Sequence, residues 1–358
     1  MYSPRYQITN SVLKSIGAIE AAKEVIEAAP LIPDYERDFQ TEAVFRQIYH
    51  GTHIEGNELT LTQTKQILEG QSIFARDRDI QEVINYRNVV KILSDLSAKR
   101  AGYDKESLLE LHAATVYNIV PSEKAGRFRQ TQVVIREEGT GKVILEPPPP
   151  FEIPYLVDDF LVWLNSEAAC EIHPILRAGI THYVLVTIHP FVEGNGRTIR
   201  AFSLLVMLKE GYNIRRFFAL EEHFDKDLAA YYAAFASVDR QHPDIANRDL
   251  TPWLEYFCEV VAVELSKIKE KIRKLSVDSR LRLKIGEQIA LSARQIKLVE
   301  YISENGNAVM KDLCDILPKI SEDTILRDLK HLLNKGIIEK QGSTKASRYV
   351  IASSKRKI

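Results

Sequence analysis

The stretch His189-Pro190-Phe191-Val192-Glu193-Gly194-Asn195-Gly196-Arg197-Thr198-Ile199-Arg200 decides how this chain reads. It predicts a loop, His189 to Gly194, feeding a helix from about Asn195 to Glu210 that Gly211 closes. Gly194 and Gly196 bracket Asn195 and let backbone N–H groups turn toward one point. With the helix's positive end they form an anion cradle. Arg197 and Arg200, three apart, share a helix face and aim at the same anion. Two arginines plus such a nest suit a polyphosphate better than a single carboxylate. Glu193 would repel a bare phosphate but becomes a ligand once Mg²⁺ lies between them. His189, at the end of the preceding helix, has the titration range of a general base at neutral pH. The twelve residues therefore suggest attack of a hydroxyl on a nucleotide phosphate.

Each feature alone supports less. A single histidine at a helix end is more often a cap or a surface residue, and a single Gly-x-Gly is a weak signal. His182 and His189 could ligate a metal, but they lie seven residues apart with no third ligand. It is the joint occurrence that carries the reading.

Outward from the motif, the chain reads mainly as helix. Ile8, Val12, Leu13, Ile16, Ile19, Ala22, Val25 and Ile26 repeat near every 3.6 residues and predict a helix over 8–30 that stops before Pro30 and Pro33. Further helices are expected at about 36–53, after an N-cap at Thr62, and at 78–99, 151–165, 174–188, 224–238 and 251–272. The exception is 128–146. There Gln132-Val133-Val134-Ile135-Arg136 and Lys142-Val143-Ile144-Leu145 flank Gly139-Thr140-Gly141 and predict a hairpin, followed by Pro147 to Pro150. A lone hairpin needs a helical body to lean on.

The segment 267–284 carries eight Lys/Arg against two acids and is expected to be a linker. The last block reads helix, helix, helix, then Ile337-Ile338-Glu339-Lys340 and Arg348-Tyr349-Val350-Ile351, the pattern of a winged helix. Its third helix opens at Ser321 and Thr324 and ends at Gly336. The first turn holds Glu322 and Asp323, which favour the helix dipole but oppose DNA phosphates. Over 285–358 there are 13 Lys/Arg, Lys345 and Lys355-Arg356-Lys357 among them, against 9 Asp/Glu. Docking of protein is favoured over specific DNA binding.

Composition sets outer bounds. The chain has 358 residues and a formal net charge of -1, so whole-molecule attraction to nucleic acid or anionic membrane is not its driver. Cys170, Cys258 and Cys314 are too few and too scattered for a disulfide framework or a zinc knuckle. Neither a signal segment nor a bilayer-length apolar run is apparent, and a cytoplasmic location is expected.

The stretch 189–200 resembles the signature of the Fic family, HPFx(D/E)GNGRxxR, and matches it at all nine specified positions. The hairpin at 130–145 resembles the family's flap, which docks a target segment by strand pairing. Tyr231-Tyr232 and Asp249-Leu250-Thr251-Pro252-Trp253 resemble its later helices. The likeness spans roughly residues 40 to 265. It implies a Fic-type helical bundle with a small hairpin flap, followed by the winged helix. It implies adenylylation, the transfer of AMP from ATP to a Ser, Thr or Tyr hydroxyl of a target protein. By that resemblance His189 is the base, Phe191 packs the loop, Glu193 holds Mg²⁺, Gly194, Asn195, Gly196 and Arg197 cradle phosphates, and Arg200 meets the γ-phosphate. Tyr231 or Tyr232 lines the adenine pocket, or the two are simply a packed aromatic pair. Val133, Val134 and Ile135 dock the target.

Gly51-Thr52-His53-Ile54-Glu55-Gly56-Asn57 resembles the family's inhibitory pattern (S/T)xxxE(G/N), whose Glu pairs with the second motif arginine. Glu55-Gly56 fits, and Asn57 matches many members. Gly51 stands where a hydroxyl residue is expected, with Thr52 one residue late, so a hydroxyl contact is lost or shifted. Glu55 is expected to pair with Arg200 and keep ATP from an in-line pose.

The expected organisation is 1–100 as an N-terminal region with the inhibitory helix, 101–265 as the catalytic core, 266–284 as linker and 285–358 as winged helix. Other readings stay open: a nucleotide-sensing DNA-binding regulator, a de-AMPylase, or transfer of another phosphate-linked group. The expected partner is a protein substrate of unspecified identity. A homodimer is compatible with the family and a membrane is not expected.

Overall fold

The computed structural model describes residues 2–29, 33–99, 102–136, 143–212, 214, 217–285, 291–318, 320–342 and 347–352. The N-terminal apolar spacing becomes α1 (Asn10–Ala28), which buries Val12, Ile19, Ala22 and Ile26. α2 (Pro33–His53) and α3 (Leu61–Leu68) follow. The cap of α3 is Thr60, where Thr62 was expected. Thr60 Oγ1 accepts the Gln63 N–H at 3.2 Å, and Gln63 Oε1 accepts the Thr60 N–H at 2.9 Å. The reciprocal partner three residues on selects the earlier threonine.

α4 (Asp77–Ala98) matches its prediction, whereas α5 (Lys105–Thr115), capped by Asp104 through the Ser107 N–H at 2.7 Å, has no counterpart among the expected helices. The hairpin consists of β1 (Ile135–Arg136) and β2 (Val143–Leu145), antiparallel with Ile135 opposite Leu145 and an irregularity after Ile135. It is shorter than expected: Gln132 to Val134 precede the strand, and the turn with Gly139, Thr140 and Gly141 lies outside the described residues. α6 (Ile153–Leu164), α7 (Glu167–Cys170), α8 (Pro174–Ile188) and α9 (Asn195–Lys209) continue the body. The single helix expected at 224–238 is two, α10 (Glu221–Lys226) and α11 (Leu228–Asp239), because the Asp227 side chain caps α11 at the Ala230 N–H, 2.9 Å away.

α12 (Thr251–Ile285) runs straight through the segment expected to be a linker. That segment contains neither Gly nor Pro and is rich in Lys, Arg and Leu, so its charge does not interrupt the helix.

α8 and α9 pack against each other, and α9 also packs on α4 and α5. Both are buried on nearly every face, which is how a central helix differs from a surface one. Gly179 of α8 lets Leu254 and Phe257 of α12 approach, and its carbonyl accepts the Trp253 indole N–H at 2.7 Å. The motif thus sits at the turn between the two most enclosed helices.

The C-terminal block comprises α13 (Ala293–Asn305), β3 (Ala308–Val309), α14 (Met310–Ile316), α15 (Glu322–Asn334), β4 (Ile338–Gln341) and β5 (Arg348–Ile351). Its sheet is antiparallel in the order β3-β5-β4, so one two-residue strand joins the two expected. Leu298, Ile302, Leu313, Ile325, Leu329, Leu332, Ile338 and Tyr349 form its core. Lys345 and the 355–357 tail lie outside the described residues.

Residues 1–27 with 37–269 form one compact unit, and 28–36 with 270–358 a second. The boundary expected near residue 100 therefore falls inside the first unit. Among the described residues, no helix is long and apolar enough to cross a membrane.

Candidate active site

His189 ends α8 in the left-handed conformation (φ 49°), which turns the chain sharply into the motif loop. Its Nδ1 faces the Val186 carbonyl at 3.4 Å and carries the proton, leaving the Nε2 lone pair as acceptor. Burial lowers the pKa of this half-buried ring to about 4, so it is neutral at physiological pH.

The loop is fixed from within. Asn195 Oδ1 accepts the Phe191 N–H, and its Nδ2 donates to the Phe191 carbonyl, both at 2.9 Å. The Asn195 side chain is thus committed to the loop, and its backbone remains at the helix start, where the cradle is expected. Phe191 is fully buried and stacks on His112, ring centroids 3.7 Å apart. His112 was not singled out in the sequence. Its Nδ1 accepts the Gly126 N–H at 3.0 Å, so Nε2 holds the proton and donates to the Glu193 carbonyl at 3.0 Å. Burial keeps that imidazole neutral, with its pKa near 4.

Gly194 (φ +77°) is the N-cap of α9, and a Cβ there would lie 2.6 Å from Val116. Only glycine combines that φ with that approach.

Arg129 is a second residue that sequence reasoning passed over. Its buried guanidinium donates to the His189 carbonyl (2.8 Å), the Thr131 carbonyl (3.1 Å) and the Pro148 carbonyl (2.6 Å). It staples both ends of the hairpin segment to the histidine. Its backbone N–H donates to the Pro190 carbonyl at 2.9 Å. Of the expected docking residues, Val133 is half-buried and Val134 exposed, and Ile135 opens β1.

The two arginines part company. Arg200 Nη2 donates to Glu55 Oε1 at 2.9 Å and to the Gly51 carbonyl at 3.0 Å. Glu55 lies in the turn that closes α2, and its carboxylate presses against Gly196, where a Cβ would overlap Oε1. Burial pushes the Glu55 pKa up, but Arg200 and Arg197 outweigh it and hold it below the usual carboxylate range. Burial likewise opposes the charge on Arg200, and Glu55 restores it.

Arg197 lies 3.2 Å from Glu82 and 3.9 Å from Glu193. Glu82 also accepts the Asn57 amide at 2.9 Å, and Asn57 Oδ1 accepts the Leu59 N–H at 3.1 Å. Arg78 ties Glu82 (3.2 Å) to Glu193. The described residues give no hydrogen-bond partner to Nε and Nη1 of Arg197 or to Nε of Arg200, all buried.

Thr52 does not substitute for the missing hydroxyl at position 51. Its Oγ1 donates back to the Ile48 and Tyr49 carbonyls, each at 3.0 Å. Tyr231 is buried, with its hydroxyl 2.8 Å from His182 Nε2, and only Tyr232 of the pair stays open, at 53% exposure. His182 is therefore tied to a phenol, and burial holds its pKa near 3. Among the described residues, no three His, Cys, Asp or Glu side chains cluster to hold a metal.

Comparison with known proteins bears on the family and the fold. Residues 102–207 match the Fic/DOC family, and residues 294–342 match the DeoR-like helix-turn-helix domain. Protein adenylyltransferase Fic of Drosophila grimshawi is 36% identical over 182 residues, which is 49% of this chain and 35% of the relative. Its namesake in Drosophila willistoni is 33% identical over 205 residues, 56% of this chain and 39% of the relative. The chain thus spans little more than a third of the length of these curated relatives. Residues 134–508 of Fic-1 from C. elegans superpose with a TM-score of 0.60 at 27% identity, covering 73% of each chain. A Fic family protein from Desulfovibrio desulfuricans G20 gives a TM-score of 0.63 over 99% of this chain and 100% of that one; at 23% identity this shows the fold alone. The loop at His189 and the arginines behind it thus lie in the stretch, residues 102–207, that matches the Fic/DOC family, and the same chain carries a stretch, residues 294–342, that matches the DeoR-like helix-turn-helix domain.

Proposed function

We propose that this chain is a protein adenylyltransferase, held inactive by Glu55. The observation that carries the reading is a neutral imidazole on the same loop as the glycine-opened helix start, with two buried arginines behind it. Nε2 of His189 takes the proton from a target Ser, Thr or Tyr hydroxyl. The oxygen bonds to the α-phosphorus of ATP, the bond to the β-phosphate oxygen breaks, and pyrophosphate leaves. The α9 N-terminus and the buried guanidinium groups of Arg197 and Arg200 suit the phosphate oxygens. Glu193, at 31% side-chain exposure, suits one carboxylate position on Mg²⁺, with phosphate oxygens and water as the other ligands. Bound there, the ion would neutralise charge developing on the phosphates. Tyr232 offers an open ring for the adenine, and the hairpin edge after Val134 offers strand pairing to the target.

Arg200 cannot serve a carboxylate and a γ-phosphate together, and the Glu55 pair therefore misplaces ATP. Glu55→Gly should raise transfer of label from α-phosphate-labelled ATP by about tenfold or more. His189→Ala in that background should abolish transfer while nucleotide binding persists. No gain in the first variant defeats the inhibitory reading, and full transfer by the second defeats the base.

For the helix-turn-helix domain we favour a protein partner. Exposed Glu322 and Asp323 open α15 beside exposed Leu326, a poor face for phosphates. A salt-dependent, sequence-specific mobility shift on DNA would reverse that preference.

A further inference from the structure

We propose that Arg78 is a built-in cation for Glu193, seated on its carboxylate until a divalent metal arriving with nucleotide takes its place; this rests on the adenylyltransferase reading above. Arg78 stands in the first turn of α4, and its side chain is 59% exposed. Its Nε donates to Glu82 Oε1 at 3.2 Å, and its Nη2 donates to Glu193 Oε1. The anchor is firm. The Glu82 side chain is 3% exposed, accepts the Asn57 amide, and faces Arg197 at 3.2 Å. The guanidinium is thus gripped at one end by a buried carboxylate and presents its other end to the one motif carboxylate suited to a metal.

A divalent ion would sit about 2.1 Å from a Glu193 oxygen. A guanidinium bonded to that carboxylate would lie beside the ion with like charge and draws on the same negative charge. Metal and Arg78 therefore compete at Glu193, and the Arg78 pair subtracts from metal affinity. Its exposure limits the size of the effect, because a half-solvated ion pair shifts an equilibrium by no more than a few-fold. The arrangement differs from the Glu55 lock. Glu55 blocks a cation that a phosphate needs, whereas Arg78 blocks an anion that a metal needs. Both connect to Asn57, the first by chain neighbourhood and the second through Glu82.

The test compares the full chain as Glu55→Gly and as Glu55→Gly/Arg78→Gln, with calorimetric Kd values for α,β-methylene ATP measured in EDTA and in saturating Mn²⁺. The readout is the ratio of the two, the factor by which metal tightens nucleotide. Loss of Arg78 should raise that ratio about two- to fivefold. An unchanged ratio, as expected if Arg78 contacts phosphate, or a smaller one, overturns the proposal while leaving the nucleotide site intact. Failure of both proteins to bind nucleotide under either condition overturns the adenylyltransferase reading along with it. Melting curves check folding, and Arg78→Ala, which should shift the ratio the same way, replaces the Gln variant if that one is unfolded.

Discussion

The backbone carbonyl of Gly51 accepts a 3.0 Å hydrogen bond from Arg200, so the residue that departs from the inhibitory pattern grips the same arginine as Glu55 without a side chain. The Tyr86 ring occupies the place where a Cβ would go, and Tyr86 is itself held by a 2.9 Å bond to buried Glu221. Restoring the hydroxyl with Gly51→Ser should therefore push the segment off Arg200. Self-labelling should rise several-fold and the melting temperature should fall by a few degrees. A variant that stays silent and melts like wild type would show that the turn tolerates the side chain.

Asn57 secures the same turn from its other side. Asn57→Ala removes the amide from Glu82, a nearly fully buried carboxylate facing Arg197. Loss of about 1–3 kcal/mol in urea unfolding is expected. A partial gain in label transfer, smaller than that of Glu55→Gly, should accompany it.

Arg129 binds three carbonyls at once, and lysine cannot reproduce that fork. In the Glu55→Gly background, Arg129→Lys should lower kcat about tenfold to a hundredfold with little change in nucleotide Kd. Rapid-quench label transfer alongside calorimetry separates the two. A matched loss in both would indicate general damage.

Acid should act on stability before it acts on the base. His112, His182 and His189 titrate near 4, 3 and 4 in the folded protein against 6.5 when unfolded. The unfolded chain binds protons first, so these groups contribute stability above pH 6.5 that is lost as pH falls toward 4. Denaturant midpoints should decline over that window. The transfer rate of folded Glu55→Gly should show no histidine limb near 6.5, and a limb there would contradict the neutral, buried ring.

Much of this was legible in residue spacing. α1, α4, α8 and α9 follow from apolar period and caps, and the placement of His189 and Arg200 on either side of one turn follows from a twelve-residue pattern. What escaped depends on partners distant in sequence. Arg129 reads as an ordinary loop arginine until Pro148 and His189 are seen around it. The commitment of the Asn195 side chain to Phe191 leaves no trace in composition. The basic run after residue 266 suggested solvent and a linker, yet its helix formers outweighed its charge. Glu82 and Arg78 look like solvated helix charges, and only the packing of α4 on α9 turns them into the ground on which Glu193 and Arg197 stand.

One consequence follows from the left-handed backbone at His189. That conformation strains any residue bearing a Cβ by about 1 kcal/mol, and glycine escapes it. The working protein therefore gives up some ruggedness to hold its imidazole at this bend. Of the two inert replacements, His189→Gly should outlast His189→Ala on heating, a reversal of the order that holds inside helices.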